Sequence, residues 1–483
     1  MTNNPQIGLL PLYIELYDIS NPEMRDRINA FLQTIEIGLK QRDLHIVTAP
    51  VCRLKPEFQN AVESFEKHDV DAIVTLHLAY SPSLESADIL AKTKLPIIVL
   101  DTTPTYEFGP EQNEIEIMYN HGIHGVQDMC NLLIRNKKHF MPEAGHWEKS
   151  DVLDRVAGCA RAAKLVKNIC SARVGIVGEP FKGMGDFDVP TEILEKTIGI
   201  KTISFDFNKA QELANRISDE DIIIEMEENK SLFEINSSNE GNSLNKASSL
   251  NGANGLNTET HRRSTYTNLL IRNWIEKEKL TAFTVNFLAT SSKSIISTMP
   301  FLEASKAMGR GLGYAGEGDV LTAALVGALA QVYPETSFTE MFCPDWKNNS
   351  IFLSHMGEMN INLTAEKPVL VEKEFPYTDA YNPIVAYGRF KAGEVIFVNL
   401  APKADNKYGL ILSKGNMLDV TGADNMKNSI HGWFKPTISI ENFLTEYSLS
   451  GGTHHAAIVY GDDAVCDEIK KFGEIMSWDV VVI

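Results

Sequence analysis

Between residues 7 and 101, short apolar runs alternate with segments whose apolar positions recur at helical spacing. Ile7 to Tyr13, His45 to Thr48, Asp71 to Leu78 and Pro96 to Leu100 read as strands. Pro22 to Arg42, Lys55 to Lys67 and Leu84 to Thr93 read as the helices between them. Repeated β-α units predict a parallel sheet covered on both faces, with right-handed crossovers. Ligands of such sheets sit beyond the carboxyl ends of the strands, and His77 and Asp101-Thr102-Thr103 fall near such ends. Asn120-His121-Gly122-Ile123-His124-Gly125 then leads into a helical run from Val126 to Arg135. Histidines between glycines at a helix entrance are either ligand contacts or exposed loop residues.

A helix from Asp151 to Ile169 opens a second series of the same kind. Its strands are Arg173 to Val177, Ile200 to Phe205 and Thr281 to Phe287, and its helices Lys209 to Ser218 and Thr265 to Lys279. The loop Gly178 to Gly185, which carries Phe181 and Met184, follows the first of these strands. Residues 230–262 interrupt the pattern: Asn236 to Thr260 is rich in Asn, Ser and Gly and holds few large apolar residues, too few to offset the entropy of ordering. The stretch reads as a mobile surface insertion with no part in catalysis. Beyond about residue 345 the runs become short and strand-like: Ile351 to Leu353, Val369 to Glu374, Ile384 to Arg389, Glu394 to Leu400 and Leu410 to Ser413, before a last helix (Asp463 to Met476) and strand (Asp479 to Ile483). The expected fold is α/β, with two doubly wound parallel-sheet domains (residues 1–171 and 172–325) and a C-terminal mixed domain (326–483) containing an antiparallel, barrel-like component.

A chain of 483 residues is long enough for two or three domains. Its apolar fraction of 43% and charged fraction of 23% are those of a globular protein with a sizeable core. The net charge of -19 argues against nucleic acid and anionic membrane, both of which need a basic patch. Six scattered cysteines without a Cys-x-x-Cys pair suit neither structural zinc nor a disulfide framework. No basic segment followed by an apolar run opens the chain, and no apolar stretch nears the ~20 residues of a membrane helix. A cytoplasmic protein is expected.

The candidate chemistry centres on Gly311 to Asp319. Gly311 to Gly316 spells Gly-x-Gly-x-x-Gly, but a dinucleotide fingerprint needs a strand before it and a helix at its third glycine. Phe301 to Met308, ahead of it, looks helical, and Glu317 and Asp319, behind it, would repel a pyrophosphate. The glycines therefore read as a tight turn that presents Glu317, with Asp319 capping a helix from Val320 to Val332. Glu317 is either a site carboxylate or an ordinary first-turn acid. Glu340 stands between Phe338 and Phe342, where a buried charge would need a partner or a metal and an exposed one would not. His355 closely follows an apolar strand, as a ligand or as a satisfied core histidine. His454-His455 follow Ser450-Gly451-Gly452-Thr453; on an extended chain they would face opposite sides, leaving at most one as a ligand. Two carboxylates and two imidazoles would suit manganese, cobalt, iron or zinc.

Taken together, these stretches resemble the L-arabinose isomerase branch of the arabinose/fucose isomerase superfamily. Gly313-Tyr314-Ala315-Gly316-Glu317-Gly318-Asp319, with Thr322-Ala323-Ala324-Leu325 behind it, resembles the segment around that family's first catalytic glutamate. Thr336-Ser337-Phe338-Thr339-Glu340 resembles the segment around the second, Ser354-His355-Met356-Gly357-Glu358 the histidine-ligand motif, and Gly451-Gly452-Thr453-His454-His455 the C-terminal histidine pair. Order and long-range spacing agree over most of the chain. The resemblance implies catalytic Glu317 and Glu340, and a metal site of Glu317, Glu340, His355 and His455 holding Mn2+ or another divalent cation such as Co2+. It also implies substrate contacts from His124, Met184, Phe287, Met356 and His454, with His124 reaching in from a neighbouring subunit of a trimer or hexamer. The expected reaction is aldose–ketose isomerisation through a cis-enediol, L-arabinose to L-ribulose first and D-galactose to D-tagatose second. L-fucose isomerisation, a metal-dependent hydrolase and a non-catalytic sugar-binding protein are the alternatives. The chain departs from the family in three places: Ile14 stands roughly where a substrate-contacting glutamine is expected, the interval from Glu340 to His355 is slightly short, and the Asn/Ser-rich insertion is atypical.

Overall fold

The computed structural model describes residues 4–235 and 256–483. The chain folds into two compact units, one of Asn3–Lys167 with Asp467–Ser477, the other of Asn168–Cys466 with Trp478–Ile483.

In the first unit, β1 (Gln6–Leu12), β2 (His45–Thr48), β3 (Ala72–His77), β4 (Ile97–Asp101) and β5 (Phe140–Ala144) form one sheet in the order β2-β1-β3-β4-β5. Every pairing in it is parallel. Alternate residues serve opposite cores, as a sheet buried on both faces requires. Ile7, Leu9, Val74, Leu76, Ile98 and Leu100 pack with Ile28, Phe31, Ile35 and Leu39 of the helix Met24–Lys40. Leu10, Leu12, Ile73, Ile97 and Val99 face the other way, onto Phe58, Val62 and Phe65 of the helix Lys55–Lys67.

In the second unit, β6 (Arg173–Val177), β7 (Lys201–Ser204), β9 (Ala282–Val285) and β10 (Gly313–Gly316) form a parallel sheet in the order β10-β9-β6-β7; the two-residue strand β8 (Glu234–Ile235) stands apart from it. β11 (Thr336–Asp345), β12 (Ser350–His355), β15 (Gly393–Pro402), β16 (Tyr408–Met417), β17 (Ile430–Pro436) and β18 (His455–Tyr460) are joined in the ring β15-β18-β11-β12-β17-β16, which closes through β15–β16. All six pairings are antiparallel, so this is a closed six-stranded barrel, with β19 (Asp479–Val482) added parallel to β16. Closure leaves the barrel no free edge. Between β12 and β15, β13 (Val369–Glu372) and β14 (Ile384–Tyr387) make a small sheet with β8.

Two expectations are corrected. Gly313 to Gly316 is not a turn: it is a buried strand paired with β9, and the turn is Glu317-Gly318. The run Gly-Tyr-Ala-Gly has little strand propensity of its own; its neighbours impose the conformation. Of the expected insertion 230–262, residues 230–235 complete the helix Asp219–Leu232 and form β8, and the helix Thr258–Glu278 takes up the far end. Residues 236–255, where a mobile surface segment is expected, lie outside the described residues. Among the described residues no helix is long and apolar enough to cross a membrane.

Candidate metal centre

The acidic and imidazole groups singled out in the second unit converge where the parallel sheet meets the barrel. Glu317 follows β10 directly, at the carboxyl end of the sheet. Its backbone takes φ +60°, a left-handed conformation that a residue with a Cβ adopts at a cost of roughly 1 kcal/mol or more. The turn is held by hydrogen bonds from Glu317 N to Val285 O (3.1 Å), from Phe181 N to Glu317 O (2.9 Å) and from Gly318 N to Thr284 Oγ1 (3.0 Å). Gly318 itself has φ +90°, and a Cβ there would lie 2.6 Å from Pro180 Cα. Strain retained at such a point marks a side chain whose direction matters.

The barrel supplies the other groups from three adjacent strands. Glu340 of β11 pairs directly with Ser354 of β12 on one side and His455 of β18 on the other. His355 ends β12. Phe342 is the extra residue of a β-bulge between Met341 and Cys343 and is exposed, so Glu340 is not enclosed between two buried rings. Phe338 alone is buried, its ring centroid 5.0 Å from those of both His355 and His455.

His454 Nε2 and His355 Nε2 lie 3.8 and 3.9 Å from Glu340 oxygens, and His455 Nε2 lies 3.8 Å from Glu317 Oε2. Two overlapping triads result, Glu317–His454–His455 and Glu340–His355–His455, with ligand atoms within 4.8 Å of one another in each. The expectation that the adjacent histidines face opposite sides is overturned. His454 lies in a bend ahead of β18, so both rings turn to one place, 4.4 Å apart.

Each imidazole is oriented from behind by a carboxylate. His355 Nδ1 is 2.7 Å from Glu358 Oε2, His455 Nδ1 2.9 Å from Asp319 Oδ2, and His454 Nδ1 2.5 Å from Asp186 Oδ2. An ionised carboxylate only accepts, so Nδ1 carries a proton in each ring, and whenever the ring is neutral Nε2 offers its lone pair toward Glu317 and Glu340. Nε2 of His454 and of His455 is buried without a hydrogen-bond partner. Unpartnered lone pairs beside two carboxylates fit a divalent cation, and residues of these kinds are its common ligands. Burial raises the Glu317 carboxyl and the neighbouring Glu340 adds to this, against the opposing pull of His355 and His455. Burial by itself depresses the His355 imidazole, but Glu358, joined by Glu340 and Glu317, outweighs it and raises the group to about 8.

Two stretches of the chain match domain families: residues 193–333 the L-arabinose isomerase central domain, and residues 335–479 the L-arabinose isomerase C-terminal domain. The chain belongs to the L-arabinose isomerase family. Membership makes it an isomerase, and a divergent one. It is 23% identical to the L-arabinose isomerase of Herpetosiphon aurantiacus over 480 residues, covering 96% of this chain and 91% of that protein. It is 22% identical to that of Shewanella baltica over 481 residues, covering 96% and 92%. A D-allose-bound periplasmic solute-binding protein from Actinobacillus succinogenes is 14% identical over 68% of this chain and 92% of its own, with a TM-score of 0.16, too low to carry an argument.

The remaining singled-out residues of this family member are spread more widely. Phe287 and Met356 line a cavity of about 150 Å³ whose polar end is Glu317 and His355 and whose walls include Phe301, Phe375 and Tyr377. Met184 lies in the loop after β6, with its N–H on Phe181 O (3.4 Å), and is not among the cavity's lining residues. His124 and Ile14 belong to the first unit; His124 sits in the first turn of the helix Gly122–Arg135, its ring 4.5 Å from that of Tyr80, and Ile14 precedes the helix Glu15–Ser20. Sequence reasoning missed Asp186, Phe187 and Glu358, and saw in Asp319 only a helix cap. Glu358 had a local signal, an acid three residues after a histidine; Asp186 had none.

Proposed function

We propose that this protein is a metal-dependent aldose–ketose isomerase acting on L-arabinose to give L-ribulose, with D-galactose to D-tagatose as a second conversion. The observation that carries the reading is the set of three carboxylate-oriented imidazoles turned on the Glu317–Glu340 pair, in a chain of the L-arabinose isomerase family. Glu317, Glu340, His355 and His455 would hold the cation, Mn2+ or a similar ion such as Co2+. Such an ion supplies Lewis-acid stabilisation of charge developing on the carbonyl oxygen.

Isomerisation removes a proton from C2 of the open-chain aldose, passes through a cis-enediol and returns a proton to C1, while the O2 proton moves to O1. Two proton carriers are needed, and Glu317 and Glu340 fill those roles. Burial raises the Glu317 carboxyl, the direction that makes its carboxylate a stronger base. The cavity walls beside these groups are largely apolar. The reading includes a homo-oligomer, trimer or hexamer, in which His124 of one copy approaches sugar bound in another.

The test is ketose formation from a panel of aldoses by chelated protein, with and without added Mn2+. Metal-restored L-ribulose from L-arabinose is the expected result. Turnover of another aldose alone, L-fucose included, would move the substrate and keep the mechanism. Sugar bound without turnover would favour a binding protein, and a product of altered mass a hydrolase.

A further inference from the structure

The adjacent histidines are oriented by carboxylates in two different settings. Asp319 and His455 are sealed, each side chain 0% exposed, whereas Asp186 and His454 are 35% and 28% exposed. One oxygen of Asp186 takes both the His454 ring, at 2.5 Å, and the His454 backbone N–H, at 3.3 Å. The next residue, Phe187, lies flat on His455, ring centroids 5.1 Å apart and planes 8° from parallel. Residues 186 and 187 therefore grip both histidines. Their loop is pinned at its start to the turn bearing Glu317, through Phe181 N on Glu317 O, and to the end of β9, through Asn286 Nδ2 on Glu179 O at 2.6 Å.

We propose that Asp186 is a positioning residue: it holds His454 with the proton on Nδ1 and the Nε2 lone pair beside Glu340, so that His454 accepts a hydrogen bond from a substrate hydroxyl while the sealed His455 serves the cation. The division follows from access. Nε2 of both rings is buried, but the rest of the Asp186–His454 pair reaches solvent while Asp319–His455 does not, so His454 stands on the side from which a sugar must arrive. Without Asp186 the ring is free to rotate or to move its proton to Nε2, where it would donate rather than accept. The inference rests on the isomerase reading of the site.

The test uses full-length Asp186→Ala, Asp186→Asn and Asp319→Asn. An asparagine oxygen at 186 still accepts from both His454 groups, and one at 319 still caps its helix. Mn2+ affinity is measured by electron paramagnetic resonance, affinity for a non-reacting five-carbon sugar alcohol by calorimetry, and kcat/KM on the aldose that wild type turns over. Asp186→Ala is expected to weaken sugar-alcohol binding and kcat/KM by about 10–100-fold, the scale of a lost charge-assisted hydrogen bond, with Mn2+ affinity within about threefold of wild type. Asp186→Asn should recover most of that loss. Asp319→Asn should lower Mn2+ affinity by about 10–100-fold. A Mn2+ loss in Asp186→Ala as large as in Asp319→Asn would make His454 a cation ligand and overturn the inference, as would wild-type sugar-alcohol binding in Asp186→Ala. If wild type turns over no aldose, the isomerase reading falls separately; the inference is then judged on the two Mn2+ affinities, equal losses still overturning it.

Discussion

Glu358→Gln isolates what a buried charge behind His355 contributes. Glu358 is 0% exposed and accepts three hydrogen bonds: His355 Nδ1 (2.7 Å) and Gly357 N (2.8 Å) on Oε2, and the Tyr314 hydroxyl (2.7 Å) on Oε1. Burial would raise this carboxyl, but the His355 charge and these bonds outweigh it and hold it below the usual range. Glutamine keeps the volume. Its oxygen can face His355 and Gly357, and its NH2 can face the Tyr314 oxygen, which accepts as well as donates. The hydroxyl proton of Tyr314 is then stranded, at about 1–3 kcal/mol of folding stability. His355 keeps its orientation and loses its anion.

Two effects on cation binding then oppose each other. A weaker carboxylate behind an imidazole ligand costs about 10–100-fold in metal affinity. In wild type, however, His355 is raised from 6.5 to about 8, so below that pH a proton competes for Nε2. The sign is that of a raised base: the protonated form stabilises the metal-free fold fully below about pH 6.5, and this contribution is lost as pH rises through about 8. Apparent Mn2+ affinity of wild type should thus climb up to about tenfold per pH unit between about pH 6 and 8 and then level. In Glu358→Gln burial dominates, the step moves to lower pH, and competition at neutral pH fades. The full affinity loss should appear near pH 9 and narrow near pH 6.5, as followed by Mn2+ titration under paramagnetic resonance. Equal loss at every pH, or none at pH 9, would refute the assignment of Glu358 as the orienting anion.

Three further outcomes are expected. Gly316→Ala places a Cβ 2.6 Å from His355 Cε1 and 2.8 Å from Nε2; with Nδ1 tied to Glu358 the ring is displaced, and Mn2+ affinity should drop at least about tenfold in a protein whose circular dichroism is unchanged. Glu317→Gln removes the proposed proton carrier and cation ligand together, so kcat should fall about a thousandfold or more; near-normal turnover at saturating Mn2+ would reject the role. Chelation should lower the thermal midpoint, because an ion at 100 times its Kd contributes about 2.7 kcal/mol to the folded state and its removal leaves Glu317 and Glu340 facing each other; scanning calorimetry with and without chelator reads the shift.

How much of this was legible in the sequence follows from how far apart the interacting residues lie. The parallel sheets were legible because β1, β3 and β4 are buried on both faces and so read as unbroken apolar runs. β10 was not, because Gly313 and Gly316 are there for close packing and their letters spell a turn. Glu317, Glu340, His355 and the histidine pair were individually weak; their order and spacing, matched to a family, brought them together. The orienting acids separate by distance along the chain: Glu358 is 3 residues from His355, Asp319 is 136 from His455, and Asp186 is 268 from His454. Only the first is within reach of a local pattern.

In this divergent family member, 23% identical to a relative over nearly its whole length, the candidate site is set by backbone geometry. Glu317 is aimed by the end of a parallel strand, and Glu340 faces His455 through the antiparallel register of β11 and β18. What must survive substitution is a sheet end, one register and a carboxylate behind each ring. A shift of β18 by one residue would turn His455 away from Glu340 and bring its other face inward, and no change of neighbouring side chains could compensate. The barrel resists such a shift because β18 is also paired with β15 and the ring is closed through β16. Barrel closure is therefore part of the candidate metal centre's architecture, since it holds in register the strands that carry Glu340, His355 and His455.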